Sequence, residues 1–203
     1  MDKATIPKLH KRWHGDIEAI RKAVADTSYQ RTQFHRIMEM TQRDRGLLAR
    51  TPFLFDLRRW YTAWVAMAIR RQTDKDTRVV SLRRLLEDMR AAPGALSNIG
   101  FLGRQLTVKQ IEQDLNHLYN VSRNVRRLAN REIAHAQRGG AGSLNRPTFN
   151  EKSGAIDEIE RLVKKYSAIF TGVAWVQLEP IDHGWWEQFK SPWHKRDDVE
   201  RTR

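Results

Sequence analysis

The segment TVKQIEQDLNHLYNVSRNVRRLANREIAHAQRGG, residues 107–140, is a long amphipathic helical pattern with a start signal and a stop signal. Thr107 followed by Gln110 matches a capping box, and the paired glycines at the end are typical of a helix terminus. Core-type residues recur at spacings of four and three, which predicts one buried seam. The seam comprises Ile111, Leu115, Leu118, Ser122, Val125, Ala129 and Ile133. We therefore predict a long helix over about 107–137.

The rest of the chain also shows helical periodicity, so the predicted fold class is an all-α bundle of five to seven helices. Helices are predicted over about 9–25, 28–48, 52–71, 82–91 and 151–170. Ser81 is a suitable N-cap for the short helix. The helix from Pro52 is expected to be the central core helix, with a broad inward face. That face comprises Phe53, Leu57, Trp60, Trp64 and Met67. The only β-like runs are 78–80 and 173–178.

Composition limits the class of protein and of partner. With 203 residues, the chain is expected to form one domain over 1–190 and a basic, flexible tail over 191–203. Its 37 Lys and Arg against 24 Asp and Glu give a formal charge of +13, which favours a polyanionic partner, nucleic acid before an anionic membrane. The absence of cysteine excludes disulfides and thiolate zinc sites, and it fits a cytoplasmic protein. No apolar run approaches the roughly 20 residues of a membrane helix.

The face of the long helix opposite the seam is polar and contains no carboxylate. We call this face the polar stripe: Gln113, His117, Asn120, Asn124, Arg127, Arg131, His135 and Arg138. An ordinary solvated helix face mixes both charge signs. Four members of the stripe, Asn124, Arg127, Arg131 and Arg138, are therefore predicted to bind nucleic acid.

The basic end of the stripe contains groups suited to RNA cleavage without a metal or another cofactor. On a straight helix Arg131 lies one turn from His135, and Arg127 lies one turn further back. A guanidinium beside an imidazole keeps the histidine neutral, so that it can act as a base on a 2′-hydroxyl. The guanidinium can also hold the phosphate. A histidine in a basic helix can equally be the polar end of an interaction surface.

The residues NREIAH, 130–135, resemble the signature of the HEPN superfamily, in particular its AbiU-like abortive-infection branch. They follow a long helix and the earlier segment AIRRQTDKDTRVVSLRRLLEDM, 68–89, and the resemblance covers roughly 10–190. It implies an α-helical bundle, commonly a homodimer, in bacterial phage defence or a toxin–antitoxin system, with RNA and an antitoxin or defence-system protein as expected partners. The implied roles are His135 as general base, Arg131 or Arg127 as phosphate clamp, and Asn130 orienting either.

The chain departs from the family pattern at one position. The family motif places four to six residues between its arginine and its histidine, which here corresponds to Asn130, Ala129 and Leu128. None of the three is an arginine, and we take Ala129 or Asn130 as the motif position. One interpretation is that Arg131 or Arg127 takes the role of the motif arginine. The alternatives are a catalytically inert HEPN module that binds nucleic acid, nucleotide or a protein, and a purely structural dimerisation domain. Whether the protein is an enzyme therefore stays open at the level of sequence.

Overall fold

A computed structural model of the chain describes residues 5–43, 52–96, 99–101, 104–133 and 147–178. Within these ranges the fold is an all-α bundle of five α-helices, as the periodicity predicted. They are α1 (Thr5–Arg43), α2 (Pro52–Gln72), α3 (Leu82–Ala91), α4 (Val108–Leu128) and α5 (Phe149–Thr171). A 3₁₀ turn, Pro93–Ala95, follows α3, and a π-helical turn, Ala129–Ile133, continues α4.

The bundle is organised around α4 and α5. Helix α5 packs against both α1 and α4, and α4 also contacts α2 and α3. Helices α1 and α5 are antiparallel, because Trp13 near the start of α1 contacts Phe170 near the end of α5, whereas Arg31 pairs with Asp157. The seam predicted for α4 is buried at Ile111, Leu118, Ser122, Val125 and Ala129, and the α1 residues Trp13, Ile17, Ile20 and Val24 are buried as expected. The long helix thus holds its polar stripe on the outside of the bundle.

Local capping signals set three helix starts. The Ser81 side chain accepts from the Arg84 amide at the start of α3, and Thr107 forms the predicted capping box with Gln110. Thr148 and Glu151 form a second capping box at the start of α5. Helix α5 ends at Gly172, whose φ of 70° lies in the left-handed region that glycine tolerates best.

The predicted break in the first helix is wrong, since α1 is continuous from Thr5 to Arg43. The break was placed at the polar residues between 25 and 28. Thr27 and Ser28 instead donate to the carbonyls of Ala23 and Val24, one turn back. Ser28 also donates to Glu160 of α5 at 2.6 Å, so tertiary contacts satisfy these hydroxyls inside the helix.

The inward face predicted for α2 is wrong at three of its five residues, whereas Leu57 and Met67 are partly buried and pack against the core. Phe53, Trp60 and Trp64 are 52, 60 and 37% exposed, and we call these three residues the aromatic surface of α2. The buried residues lie about 100° around the helix, one residue out of register with the prediction: Leu54, Tyr61, Val65, Ala66 and Ile69. Tyr61 stacks on Phe34 of α1 with ring centroids 3.7 Å apart, and this contact fixes which side of α2 faces the core.

The two β-like runs do not form strands. Residues 78–80 lie in a turn between α2 and α3, and 173–178 have no regular structure. The strand pair is instead Gly100–Phe101 with Arg104–Gln105, antiparallel, in the connection between α3 and α4. No helix in the described ranges has the length and apolarity to cross a membrane. The proposed tail, 191–203, lies outside the described residues.

Candidate nucleic-acid interface

The polar stripe of α4 faces outward over its described length. Its members from Gln113 to Arg131 are all exposed, as the helix-angle argument predicted: Gln113, His117, Asn120, Asn124, Arg127 and Arg131. The last two members, His135 and Arg138, lie outside the described residues, as does the predicted end of the helix near 137. The structure therefore places two of the proposed catalytic arginines on one solvent-facing surface and does not describe the histidine.

Helix α5 supplies carboxylates to the polar stripe, which has none of its own. Asn124 donates from Nδ2 to Oε1 of Glu151 at 2.7 Å, and this hydrogen bond lowers the pKa of the Glu151 carboxyl. His117 Nε2 lies 3.5 Å from Oε2 of Glu158. The stripe is therefore carboxylate-free only within its own helix. The amide of Asn124, proposed to bind nucleic acid, already holds the start of α5.

The basic end of the stripe differs from its beginning. Arg127 and Arg131 are exposed, and neither forms an ion pair with a carboxylate among the residues that the structure describes. Asn130 between them is also exposed. Two guanidinium groups and an amide are thus available to an anion at this end. Such a set can hold a phosphate through charge-assisted hydrogen bonds.

A π-helical turn, Ala129–Ile133, occupies the segment just before His135. A π-turn closes its hydrogen bond over five residues instead of four, so it inserts one residue into the helix and rotates the residues after it. Arg131 lies inside this turn. The chain is therefore not a straight α-helix at Arg131, which was the premise for placing Arg131 one turn from His135. Turns of this kind occur frequently at functional sites, and this one contains Asn130 as well.

The chain matches the family model AbiU2 of the HEPN proteins over residues 15–189. The chain belongs to the AbiU2 family. The resemblance carried by NREIAH and the segment before α3 is thereby confirmed, and with it a HEPN domain related to abortive infection. No curated protein and no solved structure showed significant similarity to the chain.

Burial separates the two positions that correspond to the arginine of the HEPN motif. Ala129 is fully buried and belongs to the apolar core cluster, so its side chain cannot face a substrate. Asn130 is exposed. Of the two, Asn130 is therefore the residue that occupies the motif position on the surface. It lies in the π-turn, between Arg127 and Arg131 of the polar stripe. Sequence alone did not distinguish the two positions.

The aromatic surface of α2 is a second exposed feature that the sequence argument missed. Arg71 lies seven residues after Trp64, on the same side of the helix, and is exposed. Trp60 and Trp64 border a shallow cavity of about 290 Å³ between α1 and α2. Exposed aromatic rings beside an arginine suit stacking on unpaired bases. The signal available in the sequence was the presence of apolar residues on two adjacent faces of α2.

Among the described residues, no group of three or more His, Asp or Glu side chains is placed to hold a metal ion. Asp114 of α4 is instead engaged with cations of α5. Asp114 accepts from Arg161, Lys165 and Tyr166.

Proposed function

We propose that this HEPN protein acts on RNA in phage defence or a toxin–antitoxin system of the cytoplasm, as a metal-independent endoribonuclease. The observation that best supports the proposal is a set of exposed groups around the π-turn, Arg127, Asn130 and Arg131, that have no ion-pair partner among the described residues. They occupy the part of the chain where the family motif lies. They also provide positive charge without a competing carboxylate of the described residues.

In this proposal His135 removes the proton of an RNA 2′-hydroxyl. The 2′ oxygen attacks the adjacent phosphorus, and the bond from phosphorus to the 5′ oxygen breaks. The departing 5′ oxygen takes a proton from water, and His135 returns its own proton to the hydroxide that remains, which leaves a 2′,3′-cyclic phosphate, a 5′-hydroxyl end and a neutral histidine. Arg131 or Arg127 holds the phosphate and stabilises the charge that develops on it. Asn130 orients the histidine or the phosphate, and Arg138 contributes to RNA binding.

The alternative is a HEPN module that binds nucleic acid, nucleotide or a protein partner without cleaving RNA. The observation that favours it is the buried alanine at position 129, which leaves the surface position of the motif to Asn130. An amide lacks the charge of a guanidinium and stabilises a phosphorane less. Cleavage assays with the wild-type protein separate the two functions, because the alternative retains binding and lacks product.

Reversing the charges of Arg127 and Arg131 is expected to weaken RNA binding and to flatten its salt dependence. Each phosphate neutralised on a single strand contributes roughly 0.7 to the slope of log K against log salt, so losing two contacts lowers the slope by about 1.4. The measurement is fluorescence anisotropy of a labelled single-stranded RNA with the wild-type and Arg127→Glu/Arg131→Glu proteins, from low to moderate salt.

A matched control is the double variant Lys8→Glu/Lys11→Glu, which makes the same change in net charge at two exposed lysines of α1. It should leave the slope close to that of the wild type. Equal flattening in both double variants would mean that RNA responds to net charge alone, and the stripe would then lose its role as the binding surface.

The protein is further expected to form a homodimer in which the helices over 107–137 approach each other near His135. HEPN ribonucleases of the resembled type pair two motifs across a dimer, so one protomer provides half of a site. Light scattering at micromolar concentration should give twice the mass of one chain. A monomer over this concentration range would contradict the paired site.

A further inference from the structure

A cavity between α3 and α4, separate from the polar stripe, is lined by three arginines. Arg83 and Arg90 come from α3, and Arg126 comes from α4. Its volume is about 130 Å³, well below the roughly 300–1,000 Å³ of sites for drug-sized ligands. We call it the arginine pocket. Its size suits a small anionic group rather than a whole nucleoside.

Arg126 has one buried donor atom without a partner in the arginine pocket. Its Nη1 is buried and has no hydrogen-bond partner among the described residues. The guanidinium lies over the ring of Tyr119, 4.7 Å from its centroid, and this contact fixes its position. Burial and the nearby Arg83 lower the pKa of Arg126, because both disfavour its charged form. A buried donor without an acceptor is costly, and with three guanidinium groups around one cavity the arrangement points to an anion that offsets their charge.

The neighbouring groups leave positive charge in excess. Glu87 is the only carboxylate among the described residues that line the pocket, and it accepts from Nε of Arg83 at 2.9 Å. Arg90 is exposed at the mouth. Three guanidinium groups against one carboxylate leave a net charge of about +2. Asn116 and Tyr119 add neutral polar groups to the lining, and such a set matches the oxygens of a phosphate.

We propose that the arginine pocket binds a phosphate group through Arg126, with Arg83 and Arg90 completing its coordination. The phosphate belongs to an RNA backbone that extends from the π-turn, since Arg126 lies one helical turn before Asn130, or it is a free phosphate or phosphomonoester. The proposal does not depend on RNA cleavage. It concerns a site whose residues are distinct from Arg127, Arg131 and His135.

The first test measures the thermal unfolding midpoint of the full chain with and without inorganic phosphate at constant ionic strength. If phosphate is present at about 20 times its Kd, the wild-type midpoint should rise by about 3–7 °C. Arg126→Gln should lose at least about two thirds of this rise, since removing a charge-assisted contact weakens binding by at least about tenfold. Its midpoint without phosphate should match or exceed that of the wild type, because an unpaired buried cation has been removed.

Two further variants serve as controls for Arg126→Gln. Arg90→Gln changes an exposed residue of the pocket, so it should fold normally and reduce the phosphate response in part. Arg123→Gln removes a charge from an exposed position of the same helix outside the pocket and should respond like the wild type. The proposal is overturned if phosphate does not stabilise the wild-type protein, or if it stabilises Arg126→Gln equally.

A second measurement identifies the source of the phosphate. A labelled 2′-O-methyl oligoribonucleotide, which cannot be cleaved through its 2′ oxygen, is bound to the wild type and to Arg126→Gln. Weaker binding by the variant and competition by phosphate assign the pocket to an RNA backbone. Unchanged oligonucleotide binding, with the phosphate response lost, assigns it to a free phosphate or phosphomonoester. A phosphate site in a protein that cleaves no RNA would refute the ribonuclease proposal and leave this one intact.

Discussion

Replacing His135 with alanine is expected to lower the rate of RNA cleavage by about 10² to 10⁴, the usual contribution of a positioned acid–base group. No histidine among the described residues lies at the basic end of the stripe, since His117 is on α4 near Glu158, well before the π-turn. The measurement is a single-turnover assay of a labelled RNA with both proteins. Circular dichroism should show equal helicity in the two.

The products distinguish this mechanism from other nucleases. Cleavage should leave a 2′,3′-cyclic phosphate, because the nucleophile is the hydroxyl of the RNA itself. DNA lacks that hydroxyl and should be untouched. Activity should survive EDTA, since the mechanism assigns proton transfer and charge stabilisation to side chains. Loss of activity in EDTA with recovery on adding a divalent cation would contradict it.

The arginine variants test which guanidinium holds the phosphate. Arg131→Ala is expected to be nearly as damaging as His135→Ala, and Arg127→Ala less so, if the arginine nearer in sequence is the clamp. The π-turn makes this comparison informative, because it changes the spacing on which the order was based. The cleavage rate of Asn130→Ala should lie between those of Arg131→Ala and Arg127→Ala if the amide orients the histidine.

The matched control is His14→Ala, which removes an exposed histidine from α1 and should leave cleavage unchanged. The result that would contradict the ribonuclease proposal is a wild-type protein that binds RNA and yields no product under any condition. The buried alanine at position 129 would then mark a HEPN module that has kept binding and lost catalysis.

Features encoded within a few residues of sequence were predicted correctly. The caps at Ser81 and Thr107 need only a side chain and an amide three residues away, and both form as expected. The seam of α4 follows from periodicity, because a single apolar face leaves one way to bury the helix. The family signature near 130–135 was recognisable for the same reason, since it is local.

Features that depend on distant contacts were not predictable in this way. The residue Ser28 looked like a helix boundary until Glu160 of α5 supplied its partner. Helix α2 has apolar residues on two adjacent faces, and packing of Tyr61 against Phe34 selects one of them. Helix propensity and hydrophobic periodicity do not determine where such a helix ends or which of two apolar faces is buried, because the contacting atoms belong to another helix.

The candidate site likewise combines features that local sequence predicted with features that depend on distant contacts. Exposure of Arg127 and Arg131 followed from the helix angle, whereas the π-turn at Ala129–Ile133 breaks the constant 100° step on which that angle rests. The arginine pocket joins Arg83 and Arg126, which are far apart in sequence and belong to different helices. Three-dimensional proximity of like charges is not visible from the composition of either helix.

Removing the carboxylate of Asp114 is expected to destabilise the fold by about 3 kcal/mol. Asp114 is buried and accepts from Arg161 at 3.0 Å, from Lys165 and from the buried hydroxyl of Tyr166 at 2.8 Å. Breaking a buried ion pair by removing one partner costs roughly 3–5 kcal/mol. The lower end applies because Arg161 is 50% exposed and regains water. The measurement is urea unfolding of Asp114→Ala and the wild type at pH 7.

The contribution of Asp114 also depends on pH. Burial acts to raise the pKa of Asp114, but hydrogen bonds from Lys165, Tyr166 and Arg161 outweigh it and hold the pKa below its ordinary value of 3.8. A carboxyl whose pKa is depressed in the folded state makes its full contribution to stability at pH values well above the unfolded pKa. This stability is lost as the pH falls through the folded pKa. The difference between the wild type and Asp114→Ala should therefore be constant near neutral pH and shrink below pH 3.8.

Two comparisons separate this network from a general effect of charge. Glu112→Ala removes an exposed carboxylate from the same helix and should change stability by at most about 0.5 kcal/mol. Asp114→Asn keeps the shape and one acceptor, so it should cost less than alanine and abolish the pH dependence at this position. Asp114→Ala is expected to be the less stable of the two variants, because the buried Tyr166 hydroxyl loses its hydrogen-bond acceptor inside the core. Equal stability of Asp114→Ala and Glu112→Ala would mean that water replaces the carboxylate at no cost, and the junction of α4 with α5 would then not depend on the Asp114 network.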